Sequence, residues 1–294
     1  MTRTFLQKLL VLMFLLTYTA SAQIDEEPRL VRFFKEFYSK PGHIQNQTYL
    51  SSHYGLTFPS FGFDKFNTEL ANTFNLEFCY GFVRLIEDET FEDLFKHQSE
   101  YLFIGNISTN FKTFNIQSDG VVSDTWRFGF GLNDGYGYNF GNNSNFWLMH
   151  NSAFTWTRTD FIDRLSLTFD DSLINSFDET FKFGGQWSAG VRMQIYKSLN
   201  VDLIYEHSLY YKNFLPAEWV GMWLFDNVTQ RFIEIWEPEL FEEFGRNYPW
   251  MKFTYKNLLS WVMYELRRQQ AFYPFSGEGT FNFDSFKIVI SLKL

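Results

Sequence analysis

The chain of 294 residues contains one cysteine, Cys79. That excludes a disulfide framework and a zinc site built on several thiolates. Basic character is lacking as well. Against 34 Asp and Glu stand 25 Lys and Arg, a formal charge of −9, and the basic residues form no cluster. A nucleic-acid partner is excluded on that ground, because phosphate binding needs a basic stripe. His43, His53, His97, His150 and His207 are scattered, with no HExxH pair and no aspartate-rich calcium loop, so neither metal nor cofactor is implied. Gly129-Phe130-Gly131 alternates as a strand and opens no helix, so it is not a phosphate cradle. Asp160, Asp163, Asp170, Asp171, Asp178 and Glu179 read as a solvated outer loop. Past residue 22 there is no stretch of 18 apolar residues, which rules out a helical membrane protein.

What the chain does have is aromatic side chains, 38 Phe, 16 Tyr and 9 Trp, spread along its whole length. It also opens with the pattern of a secretory signal peptide over 1–22. Arg3 and Lys8 give a positive n-region, Leu9 to Leu16 an apolar h-region, and Ala20-Ser21-Ala22 a small-residue cleavage site. Eight apolar residues are too few to cross a bilayer, so cleavage before Gln23 is the expectation. It would leave 23 basic residues against 34 acidic, a net of −11.

Period-two alternation is the main signal. Over 183–196, Phe183, Trp187, Ala189, Val191, Met193 and Ile195 share one face, and Gly184, Gln186, Ser188, Gly190, Arg192 and Gln194 the other. After Lys197-Ser198 the pattern resumes over 199–211, which spells a hairpin with a tight turn. Each arm exceeds the roughly 9–11 residues that a tilted strand needs to cross a membrane. Segments 73–86, 124–140 and 282–294 alternate in the same way. Segments 101–114 and 145–158 do so less cleanly, and 47–58 is the weakest. A soluble sandwich also alternates. Here, however, the apolar faces are long and aromatic, and the opposite faces carry Gly, Ser and Asn with isolated charges. Small polar residues suit a narrow lumen, and large aromatics suit lipid.

The stretches DTWRFGFGLNDGYGYNFG, FGGQWSAGVRMQIYKSLNVDLIYEHS and DSFKIVISLKL resemble the outer-membrane β-barrel proteins of Gram-negative bacteria, most nearly the aromatic-rich barrels of the Bacteroidota. The resemblance covers about half of the mature chain. It implies an outer-membrane location, contact with outer-membrane lipid and lipopolysaccharide, and a last strand read by the barrel-insertion machinery during assembly.

The expected fold is therefore an all-β membrane protein: a closed antiparallel up-and-down transmembrane β-barrel over 47–294 with a helical insertion at 212–281. Parity and short periplasmic turns favour eight strands; ten, recruiting 163–169, is the alternative. Asp134-Gly135 disturbs the count, since it is a hairpin dipeptide and Asp134 falls on the aromatic face of its strand. A bulge at Gly135, or a position beyond the bilayer rim, would accommodate it. Glu77, Arg127, Arg192, Asp202, Glu206 and Lys287 face the lumen on this pattern. Both signs are present, so ion pairs that plug the barrel are expected, and not an open pore.

Two appendages stand out. Residues 25–43, within a segment 23–46 ahead of the barrel, read as a short amphipathic helix, either a periplasmic lid or a docking segment. In 212–281, helical patterns appear at Pro216–Arg231, Pro238–Arg246 and Trp250–Gln270, with Trp219, Trp223, Trp236, Trp250 and Trp261 among them. These helices either cap the barrel, or lie at the membrane interface, or bind an envelope protein partner. One enzymatic constellation merits weighing. His150 and Ser152 share a strand face, and Glu206 would have to supply the acid. The His-x-Ser pair resembles that of outer-membrane lipid A deacylases, with Ala153 where those carry Asn. A structural or interaction role is the favoured function; a lipid A-modifying hydrolase, or a transporter of a small hydrophobic molecule, is the alternative.

Overall fold

The hairpin that alternates most cleanly is also the best guide to the architecture. In the computed structural model, Phe181–Tyr196 and Leu199–Tyr211 are antiparallel strands, paired from Gly184–Tyr210 down to Tyr196–Leu199 across the turn at Lys197-Ser198. The described residues are 44–63, 66–87, 91, 93–109, 120–141, 145–162, 169–235, 237–275 and 277–294. The signal segment 1–22 and the amphipathic segment 25–43 lie outside them. In chain order the strands are β1 (Ile44–Phe61), β2 (Thr73–Glu87), β3 (Leu94–Ser108), β4 (Val122–Asn139), β5 (Asn145–Ile162), β6 (Phe181–Tyr196), β7 (Leu199–Tyr211) and β8 (Thr280–Lys293). The helices are α1 (Phe169–Phe177), α2 (Pro216–Ile235), α3 (Glu237–Phe244) and α4 (Tyr248–Gln269).

Each strand pairs antiparallel with its sequence neighbour, and β8 pairs with β1, so the sheet closes as an eight-stranded up-and-down barrel. The ten-strand alternative falls, because the barrel closes with eight strands and β6 pairs directly with β5; residues 163–168 of its extra strand lie outside those described. The weakest expected strand, 47–58, is the 18-residue β1. Polar residues at the outward positions Thr48 and Ser52, with the inward ring of Tyr49, blurred its alternation.

Burial is inverted relative to a water-soluble domain. On β4, Thr125 and Arg127 are buried, while Trp126, Phe128, Phe130 and Leu132 between and beyond them are exposed. Leu102 is 63% exposed and Phe286 60%, whereas Arg127 is 0% and Lys287 3%. A closed sheet has one inner and one outer face, and period two assigns every second residue to each.

The inner face holds more than small polar groups. Tyr49, Tyr101, Phe103 and Phe95 stand directly opposite Gly81, Gly131, Gly129 and Gly137 on the neighbouring strand. A Cβ on Gly131 would lie 2.4 Å from the Tyr101 ring, and one on Gly137 2.1 Å from Phe95. The glycines are thus the seats of inward aromatic rings, which explains why they alternate with the outer aromatics.

Candidate functional site

The middle of the lumen is an ion network. Arg127, fully buried, donates from Nη2 to Glu77 Oε2 at 2.5 Å and from Nη1 to Glu206 Oε1 at 2.8 Å. Lys287 Nζ reaches Glu206 Oε2 at 2.5 Å, and Gln186 Nε2 donates to the same oxygen at 2.7 Å. Nearer the short-turn end, Arg192 donates twice to Asp202, at 2.8 and 2.7 Å. The six lumen candidates therefore all lie inside, three acids against three bases, each ion-paired with another of the set. Burying a charge without a partner costs far more than these pairs do. Their positions follow from alternation on five strands, and closure brings them together.

Apolar layers close the network above and below. At the long-loop end, Phe61, Ile107, Phe161, Phe281 and Phe283 point inward and pack on Leu173, Ile174 and Phe177 of α1. At the short-turn end, Trp147 packs with Phe95 and Met149. The acidic stretch expected as a solvated loop is in part this closing helix. Asp170 Oδ2 accepts from the backbone N–H groups of Asn67 and Thr68, and Asp178 Oδ1 from that of Phe161. These carboxylates fasten the helix over the mouth. Beside Glu77, Asp202 and Glu206 the lumen keeps a polar cavity of about 30 Å³, large enough to hold ordered water.

Sequence reasoning missed one juxtaposition. His53, Glu77 and Cys79 each offer a ligand atom within 4.8 Å of the others. Pairing of β1 with β2 sets His53 opposite Glu77 and Ser51 opposite Cys79, a register invisible without the fold. Cys79 Sγ lies 3.2 Å from His53 Nε2, and His53 Nδ1 3.2 Å from Glu77 Oε1. The donor types would suit a borderline transition metal. Glu77, however, is already held by Arg127 and stands 3.6 Å from Lys287, so a cation would face two fixed positive charges.

The second polar region is on the outer wall. Asp134, His150, Ser152, His207 and Asp284 all occupy outward positions on β4, β5, β7 and β8. Helix α4 covers this seam. Lys256 Nζ donates to Asp134 Oδ2 at 2.7 Å, and Asn257 Oδ1 is 2.9 Å from His150 Nδ1. Tyr264 OH donates to Asp284 Oδ2 at 2.9 Å, Tyr205 OH to Asp284 Oδ1 at 3.0 Å, and the Tyr264 and His207 rings are 4.5 Å apart. The serine triad is not assembled. His150 and Ser152 face outward beneath α4, and Glu206 faces inward on the other side of the wall. Asp134 needs no bulge: the β4 pairing with β3 and β5 runs unbroken through Gly135.

The insertion helices follow the expected segments closely, but they lie along the barrel wall and do not cap its mouth. Trp219 packs among Phe154, Phe183 and Phe214, Trp250 stacks on Phe146, and Trp261 joins the cluster between α2 and α4. Trp223 is exposed. Trp236 lies outside the described residues.

No family model matches the chain, and no curated protein matches it in sequence. Among solved structures it is similar to Neisserial surface protein A, at 8% identity over 86% of this chain and 99% of that one, with a TM-score of 0.38. It is also similar to Ail, the attachment invasion locus protein of Yersinia pestis, at 8% identity over 85% and 99%, with a TM-score of 0.33. The fold assignment rests on the strand pairing described above and not on these similarities.

Proposed function

We propose that the chain is a small outer-membrane barrel that serves the bacterial envelope as a structural or interaction component and not as a pore. The observation that carries this is the inversion of polarity. A continuous outer belt of Leu50, Tyr54, Phe78, Phe82, Leu102, Ile104, Trp126, Phe128, Phe286 and Ile288 is exposed, while Arg127, Lys287, Glu77 and Glu206 are buried inside. Lipid is the solvent that such a surface fits. Paired charges between two apolar layers fill the lumen, which supports a closed barrel. Outer-membrane lipid and lipopolysaccharide are then the immediate surroundings, with the barrel-insertion machinery engaged during assembly, and an envelope protein is a fitting partner for the loops. The test is twofold. The protein should fractionate with the outer membrane, and the purified folded barrel should give no large steady conductance in a planar bilayer. A stable open channel would overturn the closed-barrel reading.

A further inference from the structure

We infer that the hairpin of α2 and α4 is itself immersed in the bilayer, with acyl chains as the occupant of its outer face. This rests on the membrane-barrel reading above and extends it to a segment that hydropathy does not reveal.

The argument begins with which residues each helix hides. On α4 the buried set includes Lys252, Lys256, Ser260 and Arg267. The exposed set along Trp250, Thr254 and Leu258 is spaced four apart, one face of a helix, and carries no charge. On α2, Val220, Trp223, Leu224 and Val228 are exposed on one face, while Asp226 is turned to Arg267 of α4 through two bonds of 2.6 and 2.7 Å. A helix pair washed by water would turn these faces the other way. Here cations face the barrel, where Asp134 waits for Lys256 and the Tyr136 ring lies 5.1 Å from Lys252 Nζ.

Height agrees with polarity. Helix α4 begins on Tyr136 and Phe146 near the short turns and ends over Asp284 and Trp187 towards the long loops. Its 22 residues rise about 33 Å, and the 20 of α2 about 30 Å, against a hydrocarbon core of about 30 Å. Charges gather at the two ends. Glu242, Glu243 and Arg246 are exposed at the short-turn end, where Arg246 pairs with Asp93; Lys212 and Glu278 pair at the other. The outer faces of α2 and α4 thus continue the barrel's apolar belt between the same two polar levels. No described helix is apolar enough to be read as a membrane span, because the wall-facing polar residues lower its mean hydropathy.

The test uses single cysteines at Leu224, Val228 and Leu258 in a Cys79→Ser background. Ile288→Cys reports the barrel belt and Glu278→Cys an aqueous loop. Folded protein is reconstituted alone into phosphatidylcholine liposomes, and the rate of reaction with a charged maleimide is measured. Variants that do not show the folded, heat-sensitive gel mobility are set aside, and three sites on two helices leave the test intact if one is lost. The three helix sites should react at least tenfold more slowly than Glu278→Cys and at about the rate of Ile288→Cys. Rates like Glu278→Cys with Ile288→Cys protected would overturn the inference and leave the barrel reading standing, pointing to water or a protein partner on this face. Fast reaction at Ile288→Cys as well would overturn both.

Discussion

Asp134 on β4 and Lys256 on α4, 122 residues apart in sequence, meet at 2.7 Å on the outer wall of the barrel. The carboxylate stands in line with Trp126, Phe128, Phe130 and Leu132, which are exposed. Lys256 pairs with it directly, and Lys252, one turn earlier on the same helix, adds a second positive charge nearby. The pair should behave as a coupled unit. Asp134→Leu or Lys256→Met alone breaks the direct pair and leaves the other charge less well compensated beside apolar surface. Each should destabilise the folded protein, by somewhat less than the roughly 3–5 kcal/mol typical of a fully buried pair, since Asp134 is 27% exposed. The double variant should recover most of that loss. A double-mutant cycle in urea, read by tryptophan fluorescence in liposomes, measures the coupling; additive losses would contradict it.

This pair also marks where the sequence stops being readable. Alternation in 183–211 and in 124–132 reports the two faces of a closed sheet directly, because each strand sees one solvent per face. Asp134 breaks the pattern, and the break is visible, but its cause is a helix far along the chain. The hairpin α2–α4 is harder still. Its segments can be located from helical periodicity, yet periodicity alone does not say which face is hidden. Lys252 and Lys256 look like solvent-facing residues until the wall's Tyr136 and Asp134 are placed beside them, and Arg267 does until Asp226 of α2 and the wall's Trp187 are. His53 and Cys79 escape for a different reason: only the β1–β2 register brings them to Glu77.

Asp284 offers a second test of the seam. It accepts from Tyr205 on the neighbouring strand and from Tyr264 on α4. Tyr264→Phe removes the bond to the helix and keeps the ring against His207. A hydrogen bond to a charged group contributes about 1.5–3 kcal/mol. The loss should loosen α4 from the wall without opening the barrel, so hydrogen exchange should rise in α4 and stay unchanged in β1–β3. Uniform exchange across the barrel would show that helix and wall unfold as one.

The glycine seats inside the lumen predict a less-than-additive pair. Gly131→Ala places a methyl group 2.4 Å from the Tyr101 ring, opposite it on β3. Overpacking of this kind costs about 1–3 kcal/mol. Tyr101→Ala alone leaves a cavity and is also destabilising. Together they should cost less than the sum of the two, because the added methyl then has room. Urea midpoints of the three variants settle it, and simple additivity would mean that the ring moves aside freely.

Arg127 provides the most demanding test, since it joins two carboxylates and cannot shed its charge. Arg127→Met leaves Glu77 and Glu206 facing each other with Lys287 as their remaining cation in this group. Breaking a fully buried network by removing one member should cost about 3–5 kcal/mol, so the variant should unfold at markedly lower urea. Yet it should not conduct. The phenylalanine layer of Phe61, Phe281 and Phe283 under α1 lies above the network, and Trp147 with Phe95 lies below it. Destabilisation and permeability should therefore separate: a weaker barrel that stays electrically silent in planar bilayers. If Arg127→Met alone produced a steady channel, the apolar layers would be porous to water, and the ion network would be the barrier that keeps the lumen shut.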